Sequence, residues 1–389
     1  MSFVVLGLAC FGLVTSTAFA AMVLAAVPEY LRERRVLAAR PAGQFTPPMS
    51  LLKPVHGAEP GLEANLKTFF QQDYLEYEIL FCARWENDPG LEIARRVAAR
   101  YPRVPVKFLT TGEPDYINAK AASMELMEAA ASHEILVISD SDVRVTPGYL
   151  RAVALPFADT SVGAMCCPYR GVAAEGGLWA RLEAVGMSVE MTAGVLVARR
   201  LEGMQFVLGP TMAFRREAIR RMGGFRVTAD YCADDFVLGN ETFKLGQKVV
   251  LSHYVIDHMV LNSSFLDSLK HQVRWMKSTR FSRPKGHLGT ALTFSMLFGI
   301  AAWIAAAWLG HPWFGLALFG WSLATRWALA IGVGRLVVHD ASWFGLLVLY
   351  PLRDLMGFGF WAASYLGRRV LWRGHEYELL PGGKMRPAR

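Results

Sequence analysis

Two carboxylates separated by one serine are the residues best placed to do chemistry. Asp140 and Asp142 follow directly on the aliphatic run at 135–138 and Ser139. Such a run reads as a buried parallel strand whose carboxyl end opens into a crevice, where open α/β sheets place their ligands. Hard oxygen donors at that mouth suit Mg²⁺ or Mn²⁺, which keeps several waters and is shared between one or two carboxylates and substrate phosphates. That chemistry points to a nucleotide. The competing reading is that both aspartates merely cap the helix beginning near Pro147, since Asp is common before helices.

Aspartates at a strand end need a sheet to hold them, and the flanking chain has the pattern of one. Strand-like runs at 49–55, 77–83, 104–109 and 134–139 alternate with helical patterns at 61–71, 89–100 and 118–131, the signature of β-α-β units in an α/β fold. A second half carries strand-like runs near 162–167, 206–214 and 248–252, and a long, partly apolar helical stretch at 178–197.

With 53% hydrophobic residues among 389, the chain is too apolar for an ordinary soluble enzyme and too polar to be all membrane. Residues 2–27 hold no charged side chain and are long enough to cross a bilayer. They lack a basic leader, and their apolar core is too long for a signal peptide, so they read as an uncleaved anchor. Arg32, Arg34, Arg35 and Arg40 follow, which by the positive-inside rule puts the next domain in the cytosol.

Residues 263–281 read as an amphipathic helix on the membrane surface, opened by a capping-box-like Ser264-x-x-Asp267. Phe265, Leu266, Leu269, Val273 and Met276 recur on one face, with Lys270, Arg274, Lys277 and Arg280 supplying the basic one. Segments 288–309 and 313–333 read as spans, the second interrupted by Arg326. Segment 343–366 carries Pro351, Arg353 and Asp354 at its centre, where charge is expensive in lipid. It is expected to be re-entrant or interfacial, which keeps Arg368, Arg369, Arg373, Lys384, Arg386 and Arg389 in a cytosolic tail. The expected organisation is an anchor at 1–30, a catalytic domain at 47–262, an interfacial helix at 263–285, membrane helices at 286–367 and a basic tail at 368–389. The net charge of +8, clustered beside apolar segments, suits anionic headgroups, and no nucleic-acid motif is present. Five cysteines without C-x-x-C spacing read as reduced, and nine histidines form no metal-binding box.

Asp140-Ser-Asp142, Cys232-Ala-Asp234-Asp235 and His271-Gln-Val-Arg274-Trp275 together resemble the acidic and (Q/R)-x-x-R-W motifs of membrane-bound inverting glycosyltransferases. In detail the chain is similar to ceramide glucosyltransferases and their bacterial relatives, including hopanoid-modifying N-acetylglucosaminyltransferases. Ser50-Leu-Leu-Lys53-Pro54, Asp88-Pro89, Ile117-Asn118-Ala-Lys120, Pro168-Tyr169-Arg170-Gly171 and the tail Trp372-Arg373-Gly374 look like that group. The resemblance implies a GT-A domain, a Rossmann-like and mainly parallel mixed sheet, flanked by transmembrane helices. It implies a UDP-sugar donor, a divalent metal (Mg or Mn) and a membrane-lipid acceptor, with no nucleic acid.

By the same resemblance Asp88 would contact the uracil or its ribose, while Lys53, Asn118 and Lys120 would hold the donor. Asp140 would sit near ribose and diphosphate and, with Asp142, bind the metal. Asp235 would be the catalytic base, and His271, Arg274 and Trp275 would close over the diphosphate and acceptor side. Asp234 and Asp235 also read as an acidic helix start, and Asp88 before Pro89 as an ordinary one. Two departures stand out. His271 occupies a Gln/Arg position, and 186–194 reads Gly-Met-Ser-Val-Glu-Met-Thr-Ala-Gly where eukaryotic-type ceramide enzymes carry a histidine.

The expected reaction is transfer of glucose to ceramide at a bacterial inner membrane, with N-acetylglucosamine transfer to a hopanoid polyol as the alternative. A processive polysaccharide synthase shares the acidic motifs but needs a channel, for which two or three spans are few. A lipid-binding scaffold has no need of Asp140, Asp142, Asp235 and Arg274 together.

Overall fold

Strands covered on both faces carry unbroken apolar runs rather than alternation, and the first half of the chain follows that rule. In the computed structural model, which describes residues 2–39, 45–174, 176–262, 264–372 and 375–388, β1 (Met49–Pro54), β2 (Tyr77–Ala83) and β4 (Ile135–Ser139) are buried at every position. Arg40, Ser263, Arg373, Gly374 and Arg389 lie outside the described residues. The helices α2 (Leu62–Phe70), α3 (Pro89–Ala98) and α4 (Ala119–Ala130) connect these strands and β3 (Val106–Thr110).

The seven-stranded sheet runs β3-β2-β1-β4-β8-β6-β9, with β6 at Val162–Cys166, β8 at Thr211–Arg215 and β9 at Lys248–Leu251. All pairings are parallel except those of β8, which is antiparallel to β4 and β6. Strand order therefore reverses beside β4, and the carboxyl end of β4 lies at a topological switch point. A second, three-stranded sheet places β10 (Ile256–Val260) between β5 (Val143–Arg144) and β7 (Tyr169–Ala173). The remaining helices of this region are α5 (Tyr149–Ala154), α6 (Leu178–Gly186), α7 (Thr192–Glu202), α8 (Arg216–Arg221), α9 (Asp234–Lys244) and α10 (Phe265–Ser282).

Two expectations shift here. The strand read at 206–214 begins only at Thr211, because Gly209 and Pro210 form a turn and proline has no N–H to give a ladder. The helical stretch at 178–197 extends to Glu202 but is interrupted by a π-turn, Met187–Met191. The capping box is as read: Ser264 Oγ accepts from Asp267 N at 3.1 Å and starts α10.

Among the described residues three helices are long and apolar enough to cross a membrane: α1 (Ser2–Ala38), Pro312–Val337 and Gly345–Ala363. Within these, α13 is Pro312–Leu329 and α14 is Tyr350–Ala363. The expected span at 288–309 is instead broken by a 46° bend between Pro284–Thr293, containing α11 (Pro284–Thr290), and α12 (Ser295–Trp308). Conversely, the segment bearing Arg353 and Asp354 is a continuous helix. Its acid is matched inside the bundle, Asp354 Oδ1 lying 2.7 Å from Arg326 Nη1 with both side chains 2% exposed. Pairing offsets part of the cost that argued for a re-entrant or interfacial segment at that place. Helix α1 does not stand apart from the sheet domain: Tyr30 donates its hydroxyl to Ser252 O at 2.8 Å, and Glu29 and Glu33 pair with Arg200 and Arg199 of α7.

The tail is more than a basic extension. Its residues form an antiparallel sheet of β11 (Arg369–Trp372), β12 (His375–Leu379) and β13 (Met385–Pro387), in which Glu378 sits opposite both Arg369 and Arg386. Cross-strand charge pairing disguises a strand pattern as a run of cations. On the inner face Val370, Leu379 and Met385 pack with Ile117, Cys232 and Phe281.

Candidate active site

Asp140 leaves β4 at the switch point and is fixed by three contacts. Its N–H donates to Pro210 O (3.1 Å), its carbonyl accepts from Lys53 Nζ (2.7 Å), and its Oδ1 lies 2.7 Å from Lys120 Nζ. Lys120, at the start of α4, is also 3.7 Å from Asp234 Oδ2. Gly209, the other half of the turn, donates its N–H to Asp235 Oδ2 at 2.9 Å, while Phe236 N donates to Oδ1 at 2.8 Å. A Cβ at position 209 would sit 3.1 Å from that carboxylate and press on it, so glycine favours the close approach. One strand end, one turn and two helix starts thus bring Asp140, Lys120, Asp234 and Asp235 into one crevice.

The charges are unequal. Burial, together with the neighbouring Asp234 charge, pushes the Asp235 carboxyl up to about 6, against Lys120 and the two N–H donors. For Lys120, burial works against the ammonium, but Asp140 and Asp234 outweigh it and hold the group protonated well above the usual lysine range. Asp142 faces the other way. Its Oδ2 lies 3.1 Å from Nε2 of His258 on β10, and its Oδ1 is buried without a partner. Burial opposes charge on both, yet their mutual attraction lowers Asp142 and raises His258. On α10, His271 Nδ1 is 2.6 Å from Glu183 Oε1 and its ring centroid is 4.5 Å from that of Trp275. The Arg274 charge reaches Cys232, three residues before Asp235.

Three expected donor contacts are placed differently. Lys53 and Asn118 are fully buried. The Lys53 ammonium lies 3.6 Å over the Phe69 ring and braces Asp140, burial pulling it down to about 7. Asn118 caps α4 through Oδ1, accepting from Lys120 N and Ala121 N, and donates Nδ2 to Tyr231 O at 3.0 Å. Both are brackets for crevice residues rather than parts of its wall. Asp88 is an N-cap: its Oδ1 accepts from Gly90 N (2.8 Å) and Gly57 N (2.9 Å), leaving Oδ2 toward His56.

The sequence reading missed His258 and Glu183. It also missed the tail's grip on the loop before Asp235, where Met385 N donates to Asp230 O (2.7 Å), Cys232 N to Gly383 O (3.3 Å), and Tyr231 pairs with Lys384.

Residues 13–385 match glycosyl transferase family 21. The chain belongs to this family. It is 25% identical over 231 residues to ceramide glucosyltransferase 1 of Caenorhabditis elegans, covering 59% of the chain and 49% of that protein. It is 34% identical over 106 residues to a ceramide glucosyltransferase of Komagataella phaffii, covering 26% and 21%. The chain spans about half the length of the Caenorhabditis relatives it matches. A mannosyltransferase from Pyrobaculum calidifontis, solved with GDP-mannose and Mn²⁺, superposes with a TM-score of 0.50 at 18% identity, covering 91% of this chain and 98% of that one. The fold of this glycosyltransferase is GT-A.

Among the described residues no group of three or more His, Cys, Asp or Glu side chains is arranged to hold a metal ion by itself. The residues nonetheless fit a divalent ion. The orphaned Asp142 Oδ1 offers one oxygen donor, and His258 beside the same carboxylate offers a nitrogen donor once it gives up its proton; ions of this type take their other positions from water and substrate phosphates. Asp140, already engaged by Lys120, is the weaker half of the expected pair.

Proposed function

We propose that the enzyme transfers a hexose from a UDP-sugar to a hydroxyl of a membrane lipid with inversion, glucose to ceramide first and N-acetylglucosamine to a hopanoid polyol second. The observation that carries this reading is the fixing of Asp235 through the 209–210 turn that also holds Asp140. An inverting displacement needs a base opposite the leaving group, within hydrogen-bond reach of the acceptor hydroxyl, and works best with a pKa near the operating pH. Asp235, pushed up to about 6, meets the second condition. Its two backbone donors occupy one lone pair on each oxygen, leaving others to accept the proton.

As the acceptor oxygen bonds to the anomeric carbon, the bond to the diphosphate breaks and UDP departs with the electron pair. Lys120 and Arg274 are the cations that oppose the developing charge. A divalent ion held by Asp142 and His258 supplies further neutralisation of the diphosphate when bound. Lys53 and Asn118 serve the donor indirectly, through Asp140 and Lys120, and Asp88 Oδ2 is the oxygen left for the uridine. His271 and Trp275 face the acceptor side.

The names of the Caenorhabditis and Komagataella relatives support the choice of sugar and lipid. Arg32, Arg34 and Arg35 at the end of α1 support a catalytic domain on the cytosolic face of a bacterial inner membrane.

The test is mass spectrometry of lipids from purified enzyme given ceramide or a hopanoid polyol, with UDP-glucose and UDP-N-acetylglucosamine compared. One added sugar per lipid is expected. A ladder of sugars, or intact donor binding without any glycolipid, would overturn the reading.

A further inference from the structure

A line of buried polar side chains joins the crevice to the membrane helices, and the chemistry described so far leaves its far end unused. Glu183 of α6 accepts from Ser268 Oγ (2.7 Å) and Asn262 Nδ2 (2.9 Å) and contacts His271. Seven residues on, within the π-turn, Glu190 Oε2 lies 3.0 Å from Arg353 Nη2 of α14. The same Nη2 donates to Gln272 Oε1 at 2.8 Å, and Gln272 follows His271 on α10. π-turns inside helices frequently mark functional positions. Here the turn carries Glu190 to the boundary between the catalytic domain and α14. Gly186 lets the Arg353 side chain cross α6, since a Cβ there would collide with the guanidinium.

This junction has unmet hydrogen-bonding capacity on three side chains, where the neighbouring Arg326–Asp354 pair leaves only Arg326 Nε and Nη2 without a partner. Glu190 Oε1, Gln272 Nε2, and Arg353 Nε and Nη1 are all buried without a partner. Gln272 and Arg353 are 4% and 3% exposed. Native proteins leave few such groups unpaired, and beside lipid there is no bulk water to serve them. The set asks for a ligand that brings acceptor oxygens to Arg353 and Gln272 and a hydroxyl to Glu190. Its charge is nearly balanced, Arg353 by Glu190 and the adjacent Asp354 by Arg326, so an anionic phosphate is not required. Burial pushes the Glu190 carboxyl up to about 7 even against Arg353, and the acid makes no demand for a second cation. The Glu190 side chain is still 21% exposed, which leaves a way in.

We propose that Glu190, Gln272 and Arg353 form the headgroup cradle for the acceptor lipid, a neutral headgroup carrying at least one hydroxyl donor and one further oxygen acceptor. The inference rests on the lipid-acceptor reading above and adds the place where the lipid is held. Gln272 adjoins His271, whose ring packs on Trp275, so a headgroup at the cradle lies one helical turn from the R-W motif. These three are binding residues; none is placed in the displacement itself.

The test uses the full-length enzyme in phosphatidylcholine nanodiscs with ceramide, UDP-glucose and Mn²⁺. Glu190→Gln keeps the shape but replaces an acceptor oxygen with a donor, and Gln272→Met removes the amide. Losing a hydrogen bond to an ionised group corresponds to about 10- to 100-fold in binding. In variants that remain folded the KM for ceramide should rise about tenfold, with the KM for UDP-glucose held. Photo-crosslinking of a diazirine ceramide should fall in parallel in both variants. Unchanged acceptor KM and crosslinking in a folded variant, or equal increases for donor and acceptor, would overturn the cradle. If the wild type binds UDP-glucose but glycosylates no lipid, the transferase reading fails, and crosslinking alone still decides whether the cradle holds a lipid.

Discussion

Replacing Asp235 with Asn tests the assignment of the base. Both carboxylate oxygens of Asp235 accept backbone N–H groups, from Gly209 at 2.9 Å and Phe236 at 2.8 Å. An asparagine keeps the size and one of these bonds but cannot take a proton from an acceptor hydroxyl. Positioned general bases contribute about 10²- to 10⁴-fold, or roughly 3–5.5 kcal/mol of barrier. The variant should therefore lose about a thousandfold in kcat. Donor affinity should change little, because Asp140, Lys120, Asp142 and His258 are untouched. The pH profile gives a second reading of the same residue. The Asp235 carboxyl is raised to about 6, so its active, ionised form dominates above that pH and is lost as pH falls through it. At pH 5 the wild-type kcat/KM should be about tenfold below its plateau, and the acid limb should vanish from the Asn variant. Glycolipid formation measured against UDP-sugar binding by calorimetry separates the two effects. A variant within fivefold of wild type, or one that keeps the acid limb, would refute Asp235 as the base.

Other substitutions probe its surroundings. Lys120 opposes the rise in the Asp235 pKa, so Lys120→Met should move the acid limb of the rate profile to higher pH. His258→Ala removes one of the two donors next to the orphaned Asp142 oxygen. The Mn²⁺ concentration for half-maximal activity should rise about 10- to 100-fold, a range typical for groups that tune metal sites, and the shift should also be visible as weaker Mn²⁺ binding without donor. Gly383 has φ +84°, and a Cβ there would press on Ser282. Gly383→Val should cost about 1–3 kcal/mol, loosen the tail from Asp230 and Cys232, and lower kcat more than it raises the donor KM; unchanged kinetics would show that the tail sheet does not steady the Asp235 loop.

The half of the fold built from β1 to β4 was readable because the covered strands β1, β2 and β4 are mostly apolar and alternate with helical patterns, with β3 a partly buried edge strand. The sheet of β5, β7 and β10 escaped because its strands are short and mix in Arg144, Arg170, Asp257 and His258. The tail strands escaped because Arg369 pairs with Glu376 and Arg386 with Glu378 across the sheet, and these read in one dimension as scattered charge. The crevice was legible at Asp140, Lys120 and Asp235, which the fold gathers from three separate stretches, while Asp142 pairs with His258 beside it. Lys53 and Asn118 were readable as residue types but not as orientations: motif resemblance carries presence, and only packing decides that both point inward. The buried pair of Arg326 and Asp354 was unreadable for a related reason, since charge looks prohibitive in an apolar segment until its partner, 28 residues away, is known.

The measurement that bears most directly on the account is the anomeric configuration of the first product, read by proton NMR of glycolipid made from UDP-α-glucose. Single displacement with Asp235 as base requires inversion, so a β-linked monoglucosyl lipid is the expected result. An α-linked product would contradict it, because retention demands a different arrangement of groups from the one gathered around Asp140 and Asp235.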